Sequence, residues 1–319
     1  MKPHKGTHFC ASTHRVQRGL PCLSLPEGQP SGNPPRFGEA LSDPAFTIEL
    51  MRLVTFDLET VPDEALVSAV DGEPGRPYPE QVKRLVAERR ARTGGRTDFL
   101  PLPYHRPVVA CLLEATAEGG VVSLSDALVW TDQRTTEAAF LLDAWQRLEG
   151  ASLVSFHGKG FDLPVLELRS LKHAVPKAPS VTATDRSGIH HFDMRELLAG
   201  QASPAPLDLY AKLVGLPGKS DVAGADVPAL YAAREFDRIA AYCMTDVVQT
   251  YLLFLRHRLI EGALTADGYA ESVAQARWAL PRVFSRRLRP GERSQLEGFL
   301  QSCEAFFDSP ERADRRRAL

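Results

Sequence analysis

No stretch of this 319-residue chain is the long uncharged apolar run that a membrane helix needs. No C-x-x-C pair occurs either. Cys10, Cys22, Cys111, Cys243 and Cys303 are scattered, which argues against a structural zinc site or a disulfide framework and fits a reduced, cytoplasmic compartment. The G-x-x-x-x-G-K-[ST] phosphate loop is absent, so Lys159 gives no support for a nucleoside triphosphatase. Excess charge is missing too. A formal net charge of -2 denies the chain the bulk attraction of a basic nucleic-acid binder. Contact with a polyanion would have to come from local basic patches or bound metal. Basic residues stand near the start, but no apolar core of signal-peptide length follows them.

What is present is ordinary for a globular protein: 44% hydrophobic and 24% charged residues, with length enough for one large domain or two modest ones. Residues 1–50 carry Pro, Gly, Ser and His without apolar periodicity, and read as a disordered or mis-annotated extension. Met51 stands directly before the first strand and is a candidate translation start. The strand Leu53-Val54-Thr55-Phe56-Asp57-Leu58-Glu59-Thr60 is rich in β-branched and aromatic residues. Side chains alternate along it, so Asp57 and Glu59 share one face while Phe56 and Leu58 take the other. Two adjacent buried acids are costly without a cation, and a hard divalent metal is the usual remedy. An edge strand with a solvated acidic pair explains the pair equally well.

Downstream, Glu80–Arg92 has helical spacing, and its arginines with Arg96 form either a solvated face or a lining for a nucleic-acid strand. Two strands, Pro107–Glu114 and Gly120–Trp130, flank a Gly119-Gly120 turn. An amphipathic helix covers Thr135–Leu148, and a short strand, Ser152–Phe156, leads into His157-Gly158-Lys159-Gly160-Phe161-Asp162. Asp162 followed by Leu163-Pro164 reads locally as a helix N-cap. His191–Met194 is a strand end, Leu207–Val214 a short helix closed by Gly215, and Phe236–Ile260 a long helix. On that helix Tyr242 and Asp246 are four apart and can reach one site, unless they are simply a hydrogen-bonded core pair. Beyond Gly262, Tyr269–Leu280 has helical character and the arginines Arg282, Arg286, Arg287 and Arg289 cluster, with Arg315, Arg316 and Arg317 near the end.

In this order, D-x-E, F-D and Y-x-x-x-D resemble the three motifs of DEDDy exonucleases. Phe56–Pro62, Ser155–Leu166, Leu213–Lys219 and Ile239–Leu255 resemble more closely a bacterial family of predicted 3′–5′ exonucleases related to the exonuclease domain of family B DNA polymerases. The resemblance runs from about residue 52 to about residue 269. It implies an α/β, ribonuclease H-like mixed sheet flanked by helices over residues 51–262, with 263–319 as a helical, basic tail. It further implies metal ligation by Asp57, Glu59, Asp162 and Asp246, with Tyr242 orienting the attacking water. The cofactors would be two Mg²⁺ or Mn²⁺ ions, since oxygen ligands favour hard cations, and such pairs lie roughly 3.5–4 Å apart. Thr60 and Phe161 would contact the terminal nucleotide, and His157 and Lys219 its phosphates. His157 replaces the family's usual asparagine, and Asp193 takes a supporting role.

The implied activity is removal of nucleotides from the 3′ end of single-stranded or frayed DNA, with any polymerase or repair partner a separate chain. A ribonuclease with the same residue set is the alternative, since nothing in the sequence reads a 2′-hydroxyl. A nucleic-acid-binding module that has lost turnover is the other, weakened because all four carboxylates and the tyrosine are present.

Overall fold

The computed structural model describes residues 50–73, 75–182, 190–219 and 222–308. The N-terminal extension, Met1 to residue 49, and the Arg315–Arg317 run lie outside the described residues.

Five strands make one mixed sheet: β1 (Met51–Pro62), β2 (His105–Glu118), β3 (Val121–Thr131), β4 (Ser152–Ser155) and β5 (His191–Asp193). Their spatial order is β3-β2-β1-β4-β5. β1, β2 and β3 pair antiparallel, the β2–β3 turn falling at Gly119-Gly120, where both glycines have positive φ. β4 joins β1 in parallel and β5 joins β4 in parallel. Helices flank the sheet, giving the mixed α/β arrangement expected from the sequence.

The alternation within β1 decides what each face buries. Val54, Phe56 and Leu58 enter one core with Phe140, Leu141 and Trp145 of α3 (Glu137–Leu148) and Val165 and Leu166 of α4 (Asp162–His173). Leu53 and Val61 enter the other, against Ile239, Cys243 and Val247 of α8 (Phe236–Ile260). Asp57 and Glu59 share that second face. With both faces covered, α8 is buried almost all round, which explains its run of apolar residues.

The remaining helices are α1 (Glu64–Asp71), α2 (Tyr78–Arg92), α5 (Met194–Ala199), α6 (Leu207–Leu213), α7 (Val227–Ala232), α9 (Ala266–Ser285), α10 (Pro290–Ser302) and α11 (Glu304–Phe307). α9 lies along the edge strand β3. Ser272 accepts a hydrogen bond at Oγ from the Val122 N–H, and a Cβ on Gly268 would come within 2.2 Å of the Gly120 carbonyl. A helix over a sheet edge protects its unpaired backbone groups. Among the described residues no helix is long and apolar enough to cross a membrane.

One polar knot fixes the floor beneath β1. Asp63 is buried, caps α1 by accepting from the Leu66 N–H, and is held by Arg169 and Lys172 of α4. Arg169 also grips Glu137 of α3. Burial pushes the Asp63 carboxyl up, yet the hydrogen bonds from Lys172 and Arg169 outweigh it and hold the group well below the usual carboxylate range. Its stabilisation is therefore complete above the unfolded-state value near 4 and is lost as pH falls through the folded value. Asp63→Ala removes the cap and half of the Arg169 pairing. The expected cost is about 3 kcal/mol, read as a lower urea midpoint with an unchanged m-value.

Candidate active site

β1 outruns β4. Parallel pairing stops at Thr55 with Val154, so beyond it the edge of β1 facing β4 lacks a strand partner. Asp162 fills the first gap: its Oδ1 accepts the Leu58 N–H at 2.9 Å. This corrects the local reading of Asp162 as an N-cap. Phe161 is the cap residue and makes no side-chain cap bond, while Asp162 is the first helical residue and spends its carboxylate on β1. On the other edge, a register shift between Glu59 and Thr60 disturbs the β1–β2 ladder. Bulges commonly re-aim side chains beside active sites.

Across from the Asp57–Glu59 face stands one side of α8. Carboxylate oxygens of Asp57 and Glu59 and the Sγ of Cys243 all lie within 4.8 Å of one another. Cys243 also donates to the Asp57 backbone carbonyl at 3.4 Å. Asp246 is three residues along the helix from Cys243 and four from Tyr242, so all three point toward β1. It is only 8% exposed, and its Oδ1 has no hydrogen-bond partner. A buried carboxylate oxygen without a donor is costly unless a cation supplies the missing interaction.

The electrostatics show how tightly the acids are gathered. Burial, then the charges of Asp162 and Asp246, drives the Asp57 carboxyl well above its ordinary range. Glu59 moves the same way through burial and the charges of Asp57, Asp246 and Asp162. Burial raises Asp162 to about 7, against the opposing Leu58 hydrogen bond. It raises Asp246 to about 6, with Lys219 and Tyr242 pulling down. The charges of Asp162 and Asp246 thus reach Asp57 and Glu59, while among the described residues the ligand atoms that lie within 4.8 Å of one another are those of Asp57, Glu59 and Cys243. The four carboxylates fit a divalent cation by donor type, charge and the orphaned Asp246 oxygen.

A stability consequence follows. The folded protein holds protons near neutrality that an unfolded chain, with carboxyls near pKa 4, has released. Stability then falls as pH rises through the folded values. Two groups act oppositely at lower pH, since burial lowers His105 and lowers His191 to about 4. Their contribution is mostly complete above the unfolded histidine value near 6.5. Between about pH 6.5 and 8 the acids dominate, so the chelator-treated protein should lose thermal stability across that window. Mn²⁺ should raise the melting temperature more at pH 8 than at pH 6.5. Scanning calorimetry with EDTA or Mn²⁺ at both values checks this.

Tyr242 is nearly buried, and Lys219 Nζ donates to its Oη at 2.5 Å from above the ring, 4.9 Å from the centroid. Burial and the charges of Asp246, Glu59 and Asp57 push the phenol far above its ordinary range. It stays protonated and is a hydrogen-bond donor, not a base. Lys219 itself is held through its backbone N–H on Asp208 Oδ1 at 2.6 Å.

His157 is exposed, at φ +74°, in the left-handed region that asparagine adopts more readily than histidine. Its N–H donates to Asp193 Oδ1 at 2.9 Å, and its ring Nδ1 lies 3.2 Å from Arg195 Nη1. Asp193 is fully buried and also accepts from the Lys159 and Arg195 backbone N–H groups. It pins the loop. Gly158 is required there because a Cβ would lie 2.5 Å from that of Ser155. Thr60 Oγ1 lies 2.9 Å from His105 Nδ1, and Phe161 packs edge-on to His105 with ring centroids 5.0 Å apart. The α2 arginines are largely tied within the fold: Arg84 to Asp71 and Glu88, Arg92 to Glu88, and Arg89 to the Phe99 carbonyl.

Residues 97–303 match the model of a family described as predicted 3′–5′ exonucleases related to the exonuclease domain of PolB. The chain belongs to this family. The match begins after β1, so Asp57 and Glu59 join the family region by geometry: they face its α8. A family B DNA polymerase from the hyperthermophilic archaeon Pyrobaculum calidifontis is similar in structure at 16% identity and a TM-score of 0.37, covering 73% of this chain. The chain spans 29% of that polymerase. No curated protein matches. Within this exonuclease-family chain, Cys243 and His105 join the site only through the tertiary structure. For Cys243, its i, i+3 relation to Asp246 was the available signal.

Proposed function

We propose that this protein is a divalent-metal-dependent 3′–5′ exonuclease that releases 5′-mononucleotides from single-stranded or frayed DNA. The observation that carries the reading is the facing of Asp57 and Glu59 on β1 by Tyr242, Cys243 and Asp246 on α8, within a family of predicted exonucleases. Asp57, Glu59, Asp162 and Asp246 would hold the cations. Bound there, Mg²⁺ or Mn²⁺ lowers the pKa of water and neutralises charge on phosphate and leaving oxygen. The protein's own part is orientation. Lys219 donates to the Tyr242 oxygen, so the phenol hydrogen is directed at Asp246, beside which it would position the attacking water. Water adds to phosphorus and the 3′-oxygen departs, so the product keeps its 5′-phosphate. DNA is favoured over RNA because the family is related to the exonuclease domain of a DNA polymerase. Asp193 supports the loop that carries His157, which with Lys219 would meet the strand's phosphates.

The test compares matched linear DNA, linear RNA and circular single-stranded DNA, each with Mg²⁺, Mn²⁺ or EDTA. Linear DNA should yield mononucleotides from its 3′ end with either metal, and EDTA should stop the reaction. Circles should persist. Cleavage of circles at a comparable rate identifies an endonuclease instead, and faster release from RNA identifies the ribonuclease.

A further inference from the structure

The stripe of α8 that carries Tyr242 and Asp246 continues for another turn. Gln249 follows at i+7 from the tyrosine and i+3 from the aspartate, on the same side of the helix. It is fully buried, where an amide is costly unless it is bonded. Its Oε1 accepts the Gly218 N–H at 2.8 Å, while its Nε2 has no hydrogen-bond partner. An apolar side chain of the same size would fill this place without leaving a buried donor unpaired. What it could not do is accept from Gly218.

That bond leads to the site through observed contacts. The next N–H in the chain, that of Lys219, is taken by Asp208 Oδ1 of α6 at 2.6 Å. Asp208 is braced in turn by Lys212, whose Nζ lies 2.9 Å from the same oxygen. Two consecutive N–H groups are thus gripped from two helices. Gly218, at φ +76°, passes so close to α6 that a Cβ would collide with Asp208 Oδ1. From this anchorage the Lys219 side chain reaches Tyr242, its Nζ donating to Oη at 2.5 Å. Gly224 flanks the same hydroxyl: a Cβ there would stand 3.9 Å from it.

We propose that Gln249 is a positioning residue for the Tyr242 hydroxyl, acting with Asp208 through Lys219. This rests on the exonuclease reading and adds to it. Gln249 ties Gly218 to the helix that bears the tyrosine, and so fixes where the Lys219 ammonium meets the Tyr242 oxygen. With that oxygen occupied, the O–H is directed at Asp246. A segment free to shift would release the oxygen, and the O–H could then turn away from the water it orients. A misplacement of about 1 Å near a reacting centre can cost roughly 10²-fold in rate.

Single-turnover release at saturating strand and Mn²⁺ tests this, together with a metal-free measurement. Gln249→Met keeps the length and loses the acceptor, and should slow release roughly 10-fold. In a Tyr242→Phe background the same change should cost no further rate, because no hydroxyl is left to position. A merely structural role slows both backgrounds alike. In the chelated protein, acetylation of the Lys219 amine, read by peptide mass spectrometry, should be faster in Gln249→Met than in wild type. Asp208→Ala, at a partly exposed place on α6, should reproduce both effects. Asp208→Asn keeps an acceptor oxygen and should recover most of both. If Gln249→Met does not fold, the two Asp208 variants carry the same comparison. Equal loss in both backgrounds, no loss in either, or unchanged Lys219 acetylation overturns the positioning role alone. So does a Tyr242→Phe variant as fast as wild type. A wild-type protein that releases no nucleotide from any strand overturns the exonuclease reading and the positioning role with it.

Discussion

Asp57→Ala and Asp246→Ala are each expected to cut metal-dependent nucleotide release at least roughly 10³-fold, the equivalent of about 4 kcal/mol of transition-state stabilisation. Each removes one donor from a site whose donors are few and close. Asp57 shares its 4.8 Å neighbourhood with Glu59 and Cys243, and Asp246 holds a buried oxygen with no other partner. The fold should survive. The charges of Asp162 and Asp246 raise the Asp57 carboxyl, so deleting either Asp57 or Asp246 relieves repulsion in the metal-free protein. Melting temperatures in EDTA at pH 8 should be equal to wild type or higher, and the Mn²⁺-induced rise should shrink. Near-wild-type turnover in either variant would remove that residue from the site. Loss of activity with a collapsed melting temperature would assign it to the fold.

Tyr242→Phe carries the second large effect, a fall of roughly 10²-fold in the single-turnover rate with little change in strand binding. The phenol is kept protonated by burial and by three neighbouring carboxylates, and Lys219 occupies its oxygen as an acceptor. What remains is the O–H, directed at Asp246. A donor that matters mainly in the transition state changes kcat more than KM. Phe keeps the ring that Lys219 sits over, so a residue that only packs would show no loss. Lys219→Met supplies the control. If Lys219 acts through the tyrosine, the double variant should be little slower than Tyr242→Phe alone, a coupling that independent roles would not produce. Saturating metal and oligonucleotide isolate the chemical step.

Much of this site was legible because its parts are encoded locally. The period-2 pattern of β1 put Asp57 and Glu59 on one face whatever the strand packs against. The i, i+4 spacing put Tyr242 and Asp246 together on any helix, and α8 runs over Phe236–Ile260 as the apolar pattern indicates. The β2–β3 turn followed from two glycines. The remaining features depend on contacts between residues far apart in the chain. Asp162 has the local signature of a cap, yet its carboxylate serves the Leu58 N–H, 104 residues away, because β4 is too short to do so. Asp193 is assigned only a supporting role in sequence, and the approach of β5 to the His157 loop shows what that role is: its carboxylate accepts from three backbone N–H groups. Cys243 reads as an apolar helix residue until α8 is laid across β1 and brings its sulfur to the acids. The ring of Phe99 has no periodic role in sequence and acquires neighbours only when His105 and Phe161 fold beside it. Sequence periodicity determines which side chains share a face. Which faces meet, and which polar group is left for a ligand, is decided by strand lengths and packing across the sheet.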